Sequence, residues 1–114
     1  MRTEIEHHQI GNASLVRLPQ QLVMAVAPTV RAALAQLVES GHKRLVLDMR
    51  DIRYVDSSGL SVLIAALKNA HQHSGAVVLL DPTPDVRALI ELTRLHQVFD
   101  IYKDENAAIE GLNS

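Results

Sequence analysis

The sequence predicts a single α/β domain with a central mixed, mainly parallel sheet of four to five strands and about four helices. Three observations predict it. Residues 44–49 (RLVLDM) and 76–80 (AVVLL) are continuous apolar runs, the kind of strand that a parallel sheet buries on both faces. Each is followed by a segment whose apolar residues recur at helical spacing. A strand–helix–strand–helix order demands crossover connections, with the helices packed against the sheet.

Each element follows from local signals. Residues 3–10 (TEIEHHQI) alternate weakly and are read as an edge strand. Gly11-Asn12 is a turn signal, and Ser14 to Leu18 resumes as a second strand, so the two are expected to form a hairpin. Pro19 closes that strand because it lacks the N–H a ladder needs. From Pro28, Val30, Leu34, Leu37 and Val38 mark one helical face, with proline in the first turn and Gly41 as the stop. After the 44–49 strand, residues 60–73 read as a helix with Leu60, Leu63, Ile64, Leu67 and Ala70 in one stripe, closed near Gly75. The 76–80 strand leads into Asp81-Pro82-Thr83-Pro84, with Thr83 expected as N-cap and Pro84 at the first helical position. The next helix places Val86, Leu89, Ile90 and Thr93 on one side, residues 98–102 (VFDIY) form a short strand, and 106–112 a last helix. There is no internal repeat, linker or low-complexity segment, so residues 1–114 are expected to be one domain, with its core over roughly 3–112.

Composition removes several function classes. A chain of 114 residues can bury a core without disulfides or metal. Its aromatic residues are Tyr54, Phe99 and Tyr102, so the core must be built from Leu, Val, Ile and Ala. The absence of cysteine excludes a disulfide scaffold, a zinc knuckle and a thiol nucleophile. Eleven basic residues face thirteen acidic ones and are scattered rather than striped, which argues against nucleic acid. The N-terminal MRTEIEHHQI is too polar for a signal peptide, and no apolar run is long enough to span a bilayer. A cytoplasmic protein without direct membrane contact is expected.

Chemistry concentrates in Val55-Asp56-Ser57-Ser58-Gly59-Leu60, where an apolar run meets a helix. The first N–H groups of a helix are unpaired and carry the positive end of its dipole, so they favour an anion. A phosphate on a serine there would add nearly two negative charges where they are accepted. Capping by Asp56 or Ser57, with Gly59 allowing close packing, explains one polar residue but not the second serine. A catalytic nucleophile would need a base and an orienting group. The G-x-S-x-G elbow is missing, and His7, His8, His42, His71, His73 and His96 read as helix-end partners or solvated surface. His71 and His73, two apart on a helix, point to different faces rather than to a shared ion. Asp48, Asp51 and Asp56 could hold magnesium, but a solvated acidic rim is the expectation. No glycine-rich phosphate loop adjoins DPTPD, and no cofactor or small-molecule substrate is expected. The helix also carries Val62, Ala65 and Ala66 outside its core stripe, which fits either deep burial or a small-residue docking surface.

The run LVLDMRDIRYVDSSGLSVLIAALKNA resembles the signature of STAS domains, specifically the bacterial anti-sigma factor antagonists. The likeness extends over VRLPQQLVMAVAPTVRAAL and DPTPDVRALIELTRLHQVFDIYKDENAAI, most of the chain. The resemblance implies a STAS-type fold and a phosphorylation switch with no enzymatic activity in this chain. Ser57 would be the acceptor, with Ser58 the second choice. Asp48, Asp56, Ser58 and Gly59 would shape its surroundings, and Leu60, Ser61, Val62 and Ala65 would meet the partner. The implied partners are a serine-kinase anti-sigma factor, which supplies ATP, and a PP2C-type phosphatase that resets the site. Three positions depart from the family's pattern. Gln20-Gln21-Leu22-Val23 stands where a Gly-x-Leu-Asp segment is common, Arg94 where glycine is common, and Ser61 where a small glycine is frequent. The first departure leaves room for a STAS subunit that docks in a transporter or lipid-trafficking assembly without being phosphorylated.

Overall fold

A computed structural model describes residues 5–113. Twelve elements follow in chain order: β1 (Glu6–Ile10), β2 (Ala13–Arg17), β3 (Gln21–Leu22), α1 (Ala27–Glu39), β4 (Arg44–Asp48), β5 (Tyr54–Val55), α2 (Ser57–Gln72), β6 (Ala76–Leu80), α3 (Pro84–Leu92), a 3-10 turn (Leu95–Gln97), β7 (Asp100–Tyr102) and α4 (Glu105–Asn113). Five strands form one sheet in the order β1-β2-β4-β6-β7. The expected hairpin is present, with Glu6 opposite Arg17 and Ile10 opposite Ala13 in antiparallel register. Its residues 3 and 4 lie outside the described residues. Every other pairing in that sheet is parallel.

The apolar runs are buried on both faces, as their lack of alternation predicts. Leu45 and Leu47 of β4 and Val77 and Leu79 of β6 face Val30 and Leu34 of α1, Leu60 and Leu63 of α2, and Val86 and Ile90 of α3. The intervening Val46, Val78 and Leu80 pack with Leu15 of β2 against Ala108, Ile109 and Leu112 of α4. One face of the sheet therefore carries three helices and the other carries one. Burial of these aliphatic side chains, worth about 1.5–3 kcal/mol each, is the main force that assembles the domain. Gly41 ends α1 as expected: it sits at φ 101°, and the N–H of His42 donates to the Leu37 carbonyl across the helix end.

The structure corrects the sequence expectations at four points. Two short strands were not foreseen: β3 and β5 pair in parallel, Gln21 with Tyr54 and Leu22 with Val55. α2 begins at Ser57 rather than residue 60, because the Asp56 cap lies before the apolar stripe does. Thr83 holds the N-cap position of α3 but makes no cap bond; its hydroxyl donates to the Ile52 carbonyl instead. The 98–102 strand is shortened to Asp100–Tyr102, since Val98 and Phe99 close the 3-10 turn onto Leu95. That turn opens at Arg94 with φ 62°, so this residue occupies a left-handed conformation that glycine adopts without strain.

Candidate functional site

The short β3–β5 ladder delivers the VDSSGL segment. The Gln20 carbonyl accepts from the N–H groups of Arg53 (2.7 Å) and Tyr54 (3.3 Å), and the Leu22 carbonyl from that of Asp56 (3.3 Å). Asp56 is extended (φ −104°, ψ −173°), as an N-cap must be, and α2 starts at the next residue. Its carboxylate accepts from two main-chain donors: the Gly59 N–H to Oδ1 at 2.9 Å, and the Met24 N–H to Oδ2 at 2.9 Å. The first is an ordinary cap. The second reaches back across the chain to the turn that precedes α1. The Gly59 and Met24 N–H groups hold the Asp56 carboxyl below the usual carboxylate range.

Gly59 is required by space rather than by dihedral. A Cβ built there would stand 2.0 Å from the Leu22 carbonyl oxygen, so the first turn of α2 lies directly on β3. Ser57 is exposed, and among the described residues no hydrogen bond ties down its hydroxyl; its carbonyl accepts from the Ser61 hydroxyl at 3.1 Å. Ser58 is half-buried and lines a cavity of about 590 Å³ with Ser61, Met24, Arg31 and alanines of α1. A smaller hollow of about 200 Å³, lined by Arg31, Ala35, Val62, Ala65 and Asn69, continues the same α1–α2 groove.

The residues expected to meet a partner divide between core and surface. Val62 is 0% exposed and packs in the core, so it cannot be presented to a partner; only its edge reaches the groove wall. Leu60 is buried as well. Ser61 is exposed, and Ala65 is half-buried in the groove. Burial therefore accounts for Val62 and Ala66, while Ala65 stays partly exposed in the groove. Sequence patterning missed Met24, 70% exposed, and Tyr54, 63% exposed, which flank the site on the pre-α1 turn and on β5. A signal was available: both are large side chains in segments with no helical or strand period to bury them.

Asp48 departs from expectation. It is 3% exposed rather than part of a solvated rim, and its carboxylate is engaged away from the serines. The Arg50 N–H and Nε donate to Oδ1 at 3.0 Å each, and Arg50 Nη2 donates to Oδ2 at 2.9 Å. Arg17 Nε lies 3.8 Å from the same carboxylate, and Arg50 also bonds Glu105 of α4 at 3.0 Å. Burial works to raise the Asp48 pKa, but the Arg50 hydrogen bonds and the Arg50 and Arg17 charges outweigh it and leave the carboxyl below its usual range. With the lone pairs so occupied, the magnesium alternative for Asp48, Asp51 and Asp56 loses its central ligand; no group of three metal-ligating side chains occurs among the described residues. Among the described residues no hydrogen bond joins a histidine to Ser57 or Ser58. His71 lies about 21 Å along the α2 axis from Ser57, His73 Nδ1 is 2.9 Å from the Asn69 carbonyl, and His7 and His42 lie beside each other.

The chain is similar to known proteins over most of its length. Residues 4–108 match the family model described as STAS domain. The anti-sigma F factor antagonist of Paenibacillus polymyxa is 27% identical over 113 residues, 98% of this chain and 95% of its own. The crystal structure of an anti-sigma factor antagonist from Mycobacterium paratuberculosis superimposes with a TM-score of 0.86 at 22% identity, covering 97% of this chain and 94% of that one. The Bacillus cell fate determinant SpoIIAA in its phosphorylated form gives 0.72 at 18% identity, covering 94% and 97%. At these identities the two structures speak for the fold, and among the described residues no helix is long and apolar enough to cross a membrane. The family match over nearly the whole chain places this chain in the STAS domain family, among its anti-sigma factor antagonists.

Proposed function

We propose that this chain is a phosphorylation-controlled partner switch. In its unmodified form it binds a serine kinase that is also an anti-sigma factor, and so frees that kinase's target. Phosphate transferred from the partner's ATP to Ser57 ends the interaction, and a PP2C-type phosphatase restores it. The chain supplies the acceptor and no catalyst. One observation carries this reading: Ser57 is exposed at the first position of a capped sixteen-residue helix, beside the α1–α2 groove. The helix N-terminus offers positive potential to a phosphate. A dianion at the edge of a docking surface opposes binding through desolvation and repulsion, without refolding the domain. The phosphorylated form named for the Bacillus neighbour supports the same chemistry.

The test is intact-mass analysis of the chain after incubation with ATP and each serine-kinase anti-sigma factor of the same organism. One added phosphate on the wild type and none on Ser57→Ala is expected, with Ser57→Ala still bound by the kinase and Ser57→Asp bound poorly. Modification that persists in Ser57→Ala, or equal binding of the two variants, overturns the assignment. The scaffold reading predicts no added phosphate with any kinase, so the same measurement separates it.

A further inference from the structure

Asp56 is shared between two segments. One carboxylate oxygen caps α2 through Gly59, and the other holds the Met24 N–H, thirty-two residues earlier. Met24 has little else to keep it in place. It is 70% exposed, whereas Leu22 below it and Ala27 beyond it are buried and Val26 packs against the core. The turn between is closed on itself by the N–H groups of Val26 (3.0 Å) and Ala27 (2.9 Å), both donating to the Val23 carbonyl. Residues 23–26 are therefore a short strap between two fixed points, tied to the α2 end by the carboxylate. The same strap carries Met24 to the rim of the groove that Ser58, Ser61 and Arg31 line.

We infer that Asp56 is a positioning residue that transmits charge at Ser57 to this strap: a phosphate on Ser57 displaces the Asp56 carboxylate from the Met24 N–H and releases Met24 from the groove rim. The inference rests on the reading of Ser57 as the acceptor. Two effects act in the same direction. The phosphate on the adjacent residue is a like charge within a few ångströms, and a like charge that close disfavours the ionised carboxylate that the Met24 N–H binds. The phosphate also competes for the N–H groups of the first turn of α2, among them the Gly59 N–H that now holds Oδ1. Met24 then loses its acceptor, while Leu22 and Ala27 stay anchored in the core. The off-switch thus acts at two places on the docking surface, directly at Ser57 and at a distance through Met24.

Amide hydrogen exchange followed by NMR on the full chain tests this without any kinase. Phosphoserine is installed at position 57 during translation, and the product is compared with wild type, Ser57→Ala and Asp56→Ala. The Met24 amide is expected to exchange about tenfold faster in the phosphorylated chain and in Asp56→Ala, and to stay within about twofold of wild type in Ser57→Ala. The Leu47 and Leu79 amides in the sheet serve as the global reference and are expected to be unchanged. A rise of less than about threefold at Met24 in the phosphorylated chain overturns the inference, as does an unchanged Met24 in a folded Asp56→Ala. Should Asp56→Ala lose protection at Leu47 and Leu79, the phosphorylated chain alone decides by the same threshold. Because the phosphate is installed directly, failure of every kinase to modify Ser57 would overturn the proposed function and leave this result independent of it.

Discussion

Asp48 and Asp56 are both carboxylates at the carboxyl ends of strands, one closing β4 and the other following β5. Both have pKa values held below the ordinary range, yet by opposite means. Asp48 is buried and is held by the side chains of Arg50 and Arg17. Asp56 lies near the surface and is held by main-chain N–H groups from two segments. The first arrangement ties the sheet to α4 through Glu105; the second leaves the Ser57 hydroxyl beside it exposed, with no hydrogen bond among the described residues. A carboxylate satisfied by arginines serves as a structural fastening, whereas one satisfied by backbone amides can share those donors with an incoming anion.

The comparison can be broken at either end. The largest effect is expected from Gly59→Ala, since its Cβ meets main chain rather than a flexible side chain. A loss of about 3 kcal/mol in urea unfolding is expected, the upper end for overpacking. Asp48→Asn should cost less, about 2 kcal/mol, by disrupting a buried charged hydrogen-bond cluster whose arginines remain partly hydrated. It should also reshape the acid limb of the stability curve. A lowered native pKa means that ionised Asp48 stabilises the fold above about pH 4, and that this contribution is lost as pH falls through the lower native pKa. The gap between wild type and Asp48→Asn should therefore close as pH falls below about 4, as chemical denaturation at each pH will read. Asp56→Asn carries the same sign with a smaller amplitude, because Asp56 is more exposed. Ser57→Ala should change the unfolding free energy by no more than about 0.5 kcal/mol and, on the proposed reading, abolish modification. Last, Arg87→Ala removes the exposed Arg87–Glu91 pair at 3.2 Å and should cost no more than about 0.5 kcal/mol.

The two carboxylates also divide what sequence patterning could reach. The long elements were legible because burial imposes a period on them: β4 and β6 as unbroken apolar runs, and α1 and α2 as stripes. Asp56 and Ser57 were legible because a cap followed by hydroxyls is a local signal. Asp48 was not, since its partners Arg17 and Arg50 sit on different segments and only the fold brings them together. The strands β3 and β5 are two residues each, too short for any period, and they are held by main-chain bonds that side chains do not announce. Val62 was read as a possible surface residue because periodicity cannot tell which of two apolar faces meets the sheet and which meets solvent. Arg94 was noticed as a departure from a common glycine, and the structure supplies the reason for that preference in its positive φ. Arg94→Gly is accordingly expected to stabilise the fold by up to about 1 kcal/mol, measured by thermal unfolding.

The β3–β5 ladder bears on how such a protein can change over generations. Every link that joins residues 20–24 to residues 53–56 begins or ends on a main-chain atom: the Gln20 and Leu22 carbonyls, and the Met24 N–H. The side chains of Gln20, Gln21 and Val23 are spectators to that wiring. They can be exchanged by mutation, as the missing glycine and acid in this stretch illustrate, while the path from Ser57 to the Met24 edge of the groove keeps its shape. A domain wired this way can vary the surface around its groove without first losing that connection.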